Sequence, residues 1–416
     1  MVNVAIAGFG VVGSGVAEVL RKNCASIEQK SGKKIVLKKI LDIRDFDENP
    51  YSNLLTKNPD EVFLDDSIKI LVETIGGINV AYDFTRRAIN AGKHVVTSNK
   101  ELVATHGPEL LKLAKEKGVN YLFEASVGGG IPIIKPLSQC LAANEISAIE
   151  GILNGTTNYI LTRMKRDLKN FYEALEEAKE KGYAESDPTA DIEGHDACRK
   201  IAILSSIAFS EYVDYRKIQT EGICGVSLID FEYADYMGAT IKLLATSKKI
   251  DDKIQIRVCP AIIFKTHPLY SVEDVFNAIV VKGDAIGEAM FYGKGAGKLP
   301  TASAVVADII EIAKSSEPIM ENIWEIKEED SIINNKNSFS RFFIRTSIFS
   351  SYEAEKIILN VFGKVEFVSA IISNLKDEIA FVTLKEKEEV LMEKIEKIKT
   401  SGYIKEVQNI IRVEEN

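Results

Sequence analysis

Short apolar runs alternate with helix-period segments through the first third of the chain. VNVAIA is almost continuously apolar, the pattern of a parallel strand covered on both faces. GVAEVLRKNCASIEQK follows with helical periodicity. KKIVLKKILDI and IKILVETIGG read as strands, VAYDFTRRAINAG as helix, KHVVTSNK as strand, PELLKLAKEKG as helix and VNYLFEAS as strand. This repetition predicts an α/β fold with a doubly wound parallel sheet of the Rossmann type over residues 1–135.

After GGGIP (Gly128 to Pro132) the character changes. ISAIEGILNG and TTNYILTRMK precede an acidic amphipathic helix, FYEALEEAKEKG, and strand-like segments dominate from Ile254 (KIQIRVCPAIIF, FNAIVVKGD). We read residues 136–299 as an α+β domain. The glycine-rich GKGAGKLPTASAVVADIIEIAK leads into a helix, at about 300–320, that returns to the first domain. INNKNS, around Asn334 to Asn337, is polar and turn-forming and serves as a linker. Residues 338–416 then carry their own pattern. SRFFIRTSIF, YEAEKIILNVFG, KVEFVSAII, EIAFVTL, KEEVLMEKIEKIKTSG and IKEVQNIIRV predict β-α-β-β-α-β, a ferredoxin-like module.

Composition narrows the partners. A chain of 416 residues exceeds one ordinary core, so two or three domains are expected. A formal charge of -9 argues against a general nucleic-acid grip, which needs a basic surface. Cys24, Cys140, Cys198, Cys224 and Cys259 are odd in number and widely spaced, without C-x-x-C, so no disulfide framework or zinc knuckle is expected and a reducing cytoplasm fits. MVNVAIAGFG lacks a basic n-region, and no run reaches the roughly 18 apolar residues of a membrane span. The four histidines are scattered, which disfavours zinc chemistry.

The first motif is Gly8-x-Gly10-x-x-Gly13, the stretch Gly8, Phe9, Gly10, Val11, Val12, Gly13, between a predicted strand and a predicted helix. In that context the first glycine turns the chain, the second admits a pyrophosphate and the third lets helix approach strand. The anion then meets unpaired N–H groups at the helix start. Asp42 ends the second strand, where a carboxylate would bond the ribose 2′-hydroxyl of NAD, whereas Arg44, two residues on, would meet the 2′-phosphate of NADP. Both readings stay open, as does plain surface charge.

A second stretch, AESDPTADIEGHDACRK (Ala184 to Lys200), drives carboxylates and a lysine into the apolar IAILSSIAF. Asp196 and Lys200 lie four apart on one helical face, continued by Ile203 and Ile207. A solvent-facing i,i+4 pair is worth roughly 0.2–0.5 kcal/mol. This one points along an apolar stripe, and charges near buried surface need partners. A substrate with its own ammonium and carboxylate would supply them. His195 reads as a partly exposed helix residue. Lys100 follows a strand and begins a helix, where ligands of open α/β sheets gather; an ordinary first-turn lysine is the other reading. Glu124, before three glycines, could bind a hard cation or simply sit in a turn. The polar residues of NGTTNYI (Asn154 to Ile160) are explained by helix capping alone.

Together the segments GFGVVGSG, VVTSNKELVATHG, EASVGGGIPII, NGTTNYIL, GYAESDPTADIEGHDACRK, HPLYSVEDVFNAI and FYGKGAGKLPTASAVVAD resemble the homoserine dehydrogenase family over roughly residues 1–320. The resemblance implies NADPH- or NADH-dependent reduction of L-aspartate 4-semialdehyde to L-homoserine, in the biosynthesis of threonine, methionine and isoleucine. It implies that Glu185 and Asp196 hold the substrate ammonium, with Asp191 lining the same pocket. Lys200 and Lys100 become the candidates for handling the hydroxyl proton, Lys100 also touching the cofactor. Gly8 to Gly13, Ser98, Gly182 and the loop Gly293 to Gly297, with Gly295 and Gly297, would contact the dinucleotide. Glu124, Val127, Gly129 and Ile131 match the positions that bind a sodium ion. The 338–416 module resembles an ACT domain, a fold that often binds regulatory amino acids. Its corresponding turn, SIFSSYEAEK (Ser347 to Lys356), lacks the usual Pro-Gly element. Subunit pairing is therefore expected of it rather than threonine binding, on top of a homodimer. The competing readings are another Rossmann oxidoreductase acting on an amino-acid semialdehyde or ketone, and a non-catalytic dinucleotide and amino-acid sensor.

Overall fold

The apolar runs of the first third become six parallel strands. In the computed structural model, which describes residues 1–46, 49–315, 317, 319, 323–328, 331–368 and 377–414, the chain forms two compact units. The first comprises Met1–Ile146, Arg199–Arg216 and Lys282–Glu329, and the second Ser147–Cys198, Lys217–Val281 and Asp330–Asn416.

In the first unit the sheet order is Leu55–Thr56, Ile35–Leu41, Val2–Ala7, Ile68–Glu73, His94–Thr97, Tyr121–Leu122. Every pairing is parallel. This is the doubly wound order of dinucleotide-binding sheets, and its direction reverses between Val2–Ala7 and Ile68–Glu73. Ligands of such sheets bind outside the strand ends at that reversal. Val4, Ile6, Ile70, Val72 and Val96 are fully buried in its core, where the helices Val11–Lys22 and Lys298–Lys314 contribute Val16, Ala17, Ala302, Val305 and Ile309.

Two local differences from the sequence reading have simple causes. GVAEVLRKNCASIEQK is two helices, Val11–Lys22 and Cys24–Ser31, because Asn23 leaves helical geometry with φ −107° and ψ 17°. VNYLFEAS keeps only Tyr121–Leu122 as strand, and a tight turn at Glu124–Ser126 replaces the rest.

The second unit holds an extended mixed sheet. Within it the strands run Phe276–Gly283, Ile146–Ile152, Ala239–Ile250, Lys253–Phe264, Ile404–Glu414, Phe339–Ile348, Glu378–Thr383, Val365–Val368. The sequence reading passed over Ala239–Ile250, whose first nine residues are buried, Lys242 among them. Lys242 donates to the Asn158 carboxamide at 3.2 Å, and burial brings its ammonium down to about 8.

The last segment has the order strand Phe339–Ile348, helix Ser351–Phe362, strands Val365–Val368 and Glu378–Thr383, helix Glu388–Lys399 and strand Ile404–Glu414, with a two-residue strand at Glu386–Lys387. The part of KVEFVSAII after Val368 lies outside the described residues. Ile404–Glu414 pairs in parallel with Lys253–Phe264 through Ala261 to Ile263, so this segment continues the sheet of its unit. Among the described residues no helix is long and apolar enough to cross a membrane.

Candidate active site

At the strand ends of the first unit two glycines, Gly8 and Gly13, leave no room for a side chain. Gly8 has φ +92°, and a Cβ there would meet the Thr74 carbonyl oxygen at 2.7 Å. A Cβ on Gly13 would lie 2.0 Å from the Gly8 carbonyl oxygen. Gly10 differs, since the nearest atom to its Cβ position is Nη2 of Arg44 at 3.9 Å, so its backbone faces open space. Phe9 is buried, whereas Val11 is exposed and Val12 half-buried in the first turn that follows. A cavity of about 450 Å³ opens here, lined by Gly8, Gly10, Asp42, Arg44, Lys57 and Ile75 among others.

Asp42 is committed within the protein. Its Oδ2 accepts the Phe9 amide at 2.6 Å and Arg44 Nη2 at 2.8 Å, and its Oδ1 accepts the Arg44 amide at 2.9 Å and Nε at 3.0 Å. Burial alone would raise the carboxyl, but Arg44 and the two amides bring it down to about 2. The Arg44 guanidinium stays more than half exposed at the cavity mouth, and Lys57 lines the same wall.

Elsewhere in the first unit, buried Glu124 turns its carboxylate onto three successive amides, those of Ile133 (2.6 Å), Ile134 (2.9 Å) and Lys135 (2.7 Å). Burial still pushes its carboxyl up, against those three bonds. Gly129, at φ +55°, backs onto the Gly295 carbonyl, which its Cβ would meet at 2.5 Å. Val127 and Ile131, on either side of Gly129 in sequence, are buried, and Gly297, at φ +121°, precedes the helix Lys298–Lys314.

The two lysines sit on helices joined by an ion pair. Lys100 is the first residue of the helix Lys100–Lys117, and Asn99 caps that helix by accepting the Leu102 amide at 3.1 Å. Glu101 meets the Arg199 guanidinium at 2.9 Å, one residue from each lysine. Lys200 is 8% exposed, and Lys100 and Ser98 are half-buried.

In the second unit Asn154 organises the acids. Its Nδ2 donates to Asp191 Oδ1 at 2.7 Å and to Asp196 Oδ2 at 2.9 Å. Its Oδ1 accepts the Thr157 amide at 2.8 Å and thereby caps the helix Gly155–Asp167. That cap fixes which way the carboxamide points. Asp196 is 4% exposed and opens the helix His195–Phe209, so Lys200 follows it by one turn. Glu185 and His195 are exposed, as is Gly182, at φ +72°. Thr156 Oγ1 holds the Tyr183 carbonyl at 2.7 Å, and Asn158 Nδ2 holds the carbonyls of Val272, Asp274 and Phe276. NGTTNYI is thus more than a cap, because its polar side chains each hold a different segment.

Residues 132–310 match the family described as Homoserine dehydrogenase, and residues 8–124 match Homoserine dehydrogenase, NAD binding domain. The homoserine dehydrogenase of Synechocystis sp. is 45% identical over 323 residues, covering 75% of this chain and 73% of the relative. The chain belongs to the homoserine dehydrogenase family. The Bacillus subtilis homoserine dehydrogenase is 39% identical over 76% of this chain and 73% of its own. Among solved structures, a homoserine dehydrogenase from Thiobacillus denitrificans superposes with a TM-score of 0.90 at 35% identity, covering 100% of this chain and 98% of its own. A hyperthermophilic archaeal homoserine dehydrogenase in complex with NADPH has a TM-score of 0.64 at 31% identity, covering 75% of this chain and 97% of its own. Against that family frame, sequence reasoning missed three working side chains. Asn154 looked like a cap and is also the bridge between two acids. Arg199 looked like part of a charge run and ties two lysine-bearing helices. Glu73 gave one signal only, a carboxyl directly after the apolar run Ile70–Val72.

Proposed function

We propose that this chain interconverts L-aspartate 4-semialdehyde and L-homoserine with NADP or NAD. The observation that carries the reading is the Asn154 bridge between Asp191 and Asp196, on the helix that places Lys200 one turn further. Asp196 and Asp191 hold the substrate ammonium, and exposed Glu185 joins them from the 182–188 loop. Asn154 orients both acids through a neutral group. Lys200, aided by Lys100, delivers a proton to the carbonyl oxygen as it becomes a hydroxyl, or removes it in the reverse direction. Asp196, one turn earlier on the same helix, helps to aim that ammonium. When bound, the nicotinamide supplies or receives the hydride at the carbonyl carbon. The cradle fits such a cofactor, since Gly10 faces open space at a helix start where unpaired amides attract a diphosphate. Gly182, Ser98, Gly295 and Gly297 border the same ligand in this reading. With Asp42 committed to Phe9 and Arg44, the cations Arg44 and Lys57 front the ribose end and favour a 2′-phosphate. The deciding assay follows reduced-nicotinamide absorbance with homoserine and either NADP or NAD. Turnover with NADP is expected, and its absence with both would sink the reading.

A sodium ion near Glu124, Val127, Gly129 and Ile131 belongs to the same proposal. Glu124 has three of its roughly four acceptor positions occupied by amides and keeps capacity for one cation contact. The remaining ligands would be backbone carbonyls. Replacing sodium by a bulky organic cation at fixed ionic strength should lower activity. We also read 338–416 as an ACT-like domain that pairs subunits, supported by exposed Phe349 and Tyr352 at 66% and 72%. A homodimer that extends through this domain, in the cytoplasm, is the state proposed. A Phe349→Ser, Tyr352→Ser variant should sediment as a smaller particle, and strong inhibition in a threonine titration would favour an effector site instead.

A further inference from the structure

Strand Ile68–Glu73 ends on a carboxyl that is 0% exposed. One of its oxygens accepts the Ile75 amide at 2.6 Å, and the other accepts the Thr97 hydroxyl at 2.5 Å. Thr97 Oγ1 in turn accepts the Asn99 amide at 2.9 Å. The Asn99 carboxamide donates to the carbonyls of Ile75 (3.1 Å) and Gly77 (2.7 Å), while its oxygen caps the Lys100 helix. The Ser98 amide returns to the Glu73 carbonyl at 3.4 Å. These bonds form a closed circuit between the ends of two neighbouring parallel strands. On one side it holds Ile75, which lines the dinucleotide cavity. On the other it holds Asn99 and, next to it, Lys100.

We infer that Glu73 is a positioning residue, whose carboxyl fixes the 75–77 wall of the cofactor cavity against the helix start that carries Lys100. An apolar side chain would fit the strand core equally well, since Val72 and Leu71 are fully buried beside it. It would leave the Ile75 amide and the Thr97 hydroxyl without acceptors in a buried place. Burial raises the Glu73 carboxyl to about 7, and its two hydrogen bonds only partly oppose that. The fold therefore tolerates an unfavourable buried acid where two divergent acceptors are needed. In this inference Glu73 acts through Thr97, Asn99 and Ile75 and not by direct contact with a ligand.

The inference rests on the reading of Lys100 given above, and its test separates the two. Three variants suffice: Glu73→Gln, Glu73→Ala and the near-isosteric Thr97→Val. Glutamine can accept the Ile75 amide and donate to Thr97 Oγ1, which turns its own proton away while still accepting the Asn99 amide, so E73Q should keep both contacts. Hydrogen exchange on the cofactor-free protein reads the geometry without any turnover. Thr97→Val and Glu73→Ala should speed exchange of the Asn99 and Leu102 amides about tenfold, and E73Q should leave them within about twofold. In kinetics Thr97→Val and Glu73→Ala should lower kcat about tenfold and weaken NADPH binding several-fold, with the homoserine KM unchanged. If Glu73→Ala does not fold, Thr97→Val still decides. Wild-type exchange rates in folded Thr97→Val, or damage in E73Q equal to that in Glu73→Ala, would overturn the inference. Full turnover in Lys100→Ala would remove the role of Lys100 while leaving the exchange result to judge Glu73.

Discussion

Two pairs of buried or half-buried carboxylates in the second unit are held in opposite ways. Asp191 and Asp196 are bridged by the Asn154 carboxamide, which orients without cancelling charge. Glu388 and Glu414 are gripped by arginines. Arg412 makes a two-pronged contact with Glu388 at 2.8 Å for each prong, and Arg257 reaches both acids, with Lys248 adding a third cation near Glu414. Burial alone would raise Glu388 and Glu414, but these cations hold both below the ordinary carboxylate range. The acids are chemically similar and the outcome is set by the partner. A guanidinium completes a structural lock between the Lys253–Phe264 and Ile404–Glu414 strands, whereas the carboxamide adds a neutral donor to the other pair, which in the proposed function faces the substrate ammonium.

The largest effect should come from the lysine beside the amide-held pair. Lys200→Ala should lower kcat by about 10²–10⁴, the usual range for a lost proton-transfer group. NADPH binding, measured by fluorescence, should change less than about twofold. Near-normal kcat would remove Lys200 from the chemistry. The arginine-held pair should answer differently. Arg412→Ala leaves Glu388 and Glu221 without their fork and should cost about 3–5 kcal/mol of unfolding free energy in denaturant titration. The homoserine KM of the folded fraction should not move. Arg412→Met, which restores volume and part of the burial, should lose less.

Glu73 is a third way of burying an acid, with no ion pair among its hydrogen bonds, and pH should expose it. Its folded value of about 7 lies above the ordinary 4.5, so the folded state keeps a proton that the unfolded chain releases. The stability it contributes is complete below pH 4.5 and is lost as pH rises through 7. The ceiling on that loss is about 3 kcal/mol. Glu73→Gln removes the titration, so its unfolding free energy relative to wild type should climb across this window. A flat difference would mean the acid is already ionised at pH 5. Smaller again is the effect of Asn154→Ser. Serine can cap the helix but cannot bridge two acids, so thermal stability should fall little while the homoserine KM rises about 10- to 50-fold, the range expected when a buried charged acceptor loses its donor. A lost cap with unchanged KM would reduce Asn154 to a helix start.

Much of this was legible in the sequence because the signals were local. The apolar runs of the first unit and the Asp196–Lys200 interval each lie within one element, the glycine spacing spans a single strand-to-helix turn, and apart from the shortened Tyr121–Leu122 strand they survive in the structure. Function followed from the same motifs, since NGTTNYIL and the GYAESDP block are specific strings. What stayed hidden depended on partners far along the chain. Asn154 meets Asp191 and Asp196 some 40 residues away, and a cap alone explains an asparagine before a helix. Strand Ala239–Ile250 carries Lys242 inward, which breaks the apolar pattern that strand reading relies on; partners on other segments, the Asn158 carboxamide and the Val272 carbonyl, make that lysine tolerable. The Arg257 and Arg412 lock reads in sequence as ordinary strand-face charge.

Arg44 gives the finest test of how a partner decides what an acid can do, because it holds Asp42 as Arg412 holds Glu388. While Arg44 and the Phe9 amide occupy Asp42, the carboxylate is a poor acceptor for a ribose 2′-hydroxyl, and in the proposed reading the exposed guanidinium would offer its outer face to a phosphate. Arg44→Ala should therefore raise the KM for NADP about tenfold, the size of one lost charge-assisted bond. The same change releases Asp42 while the Phe9 amide still anchors it, so the KM for NAD should stay level or fall. Lys57→Ala, which leaves the Asp42–Arg44 pair intact, should raise the NADP value by less. If Arg44→Ala moved both values together, the arginine would serve only to hold the loop after strand Ile35–Leu41, and Asp42 would belong with the structural acids of the second unit rather than with the binding wall.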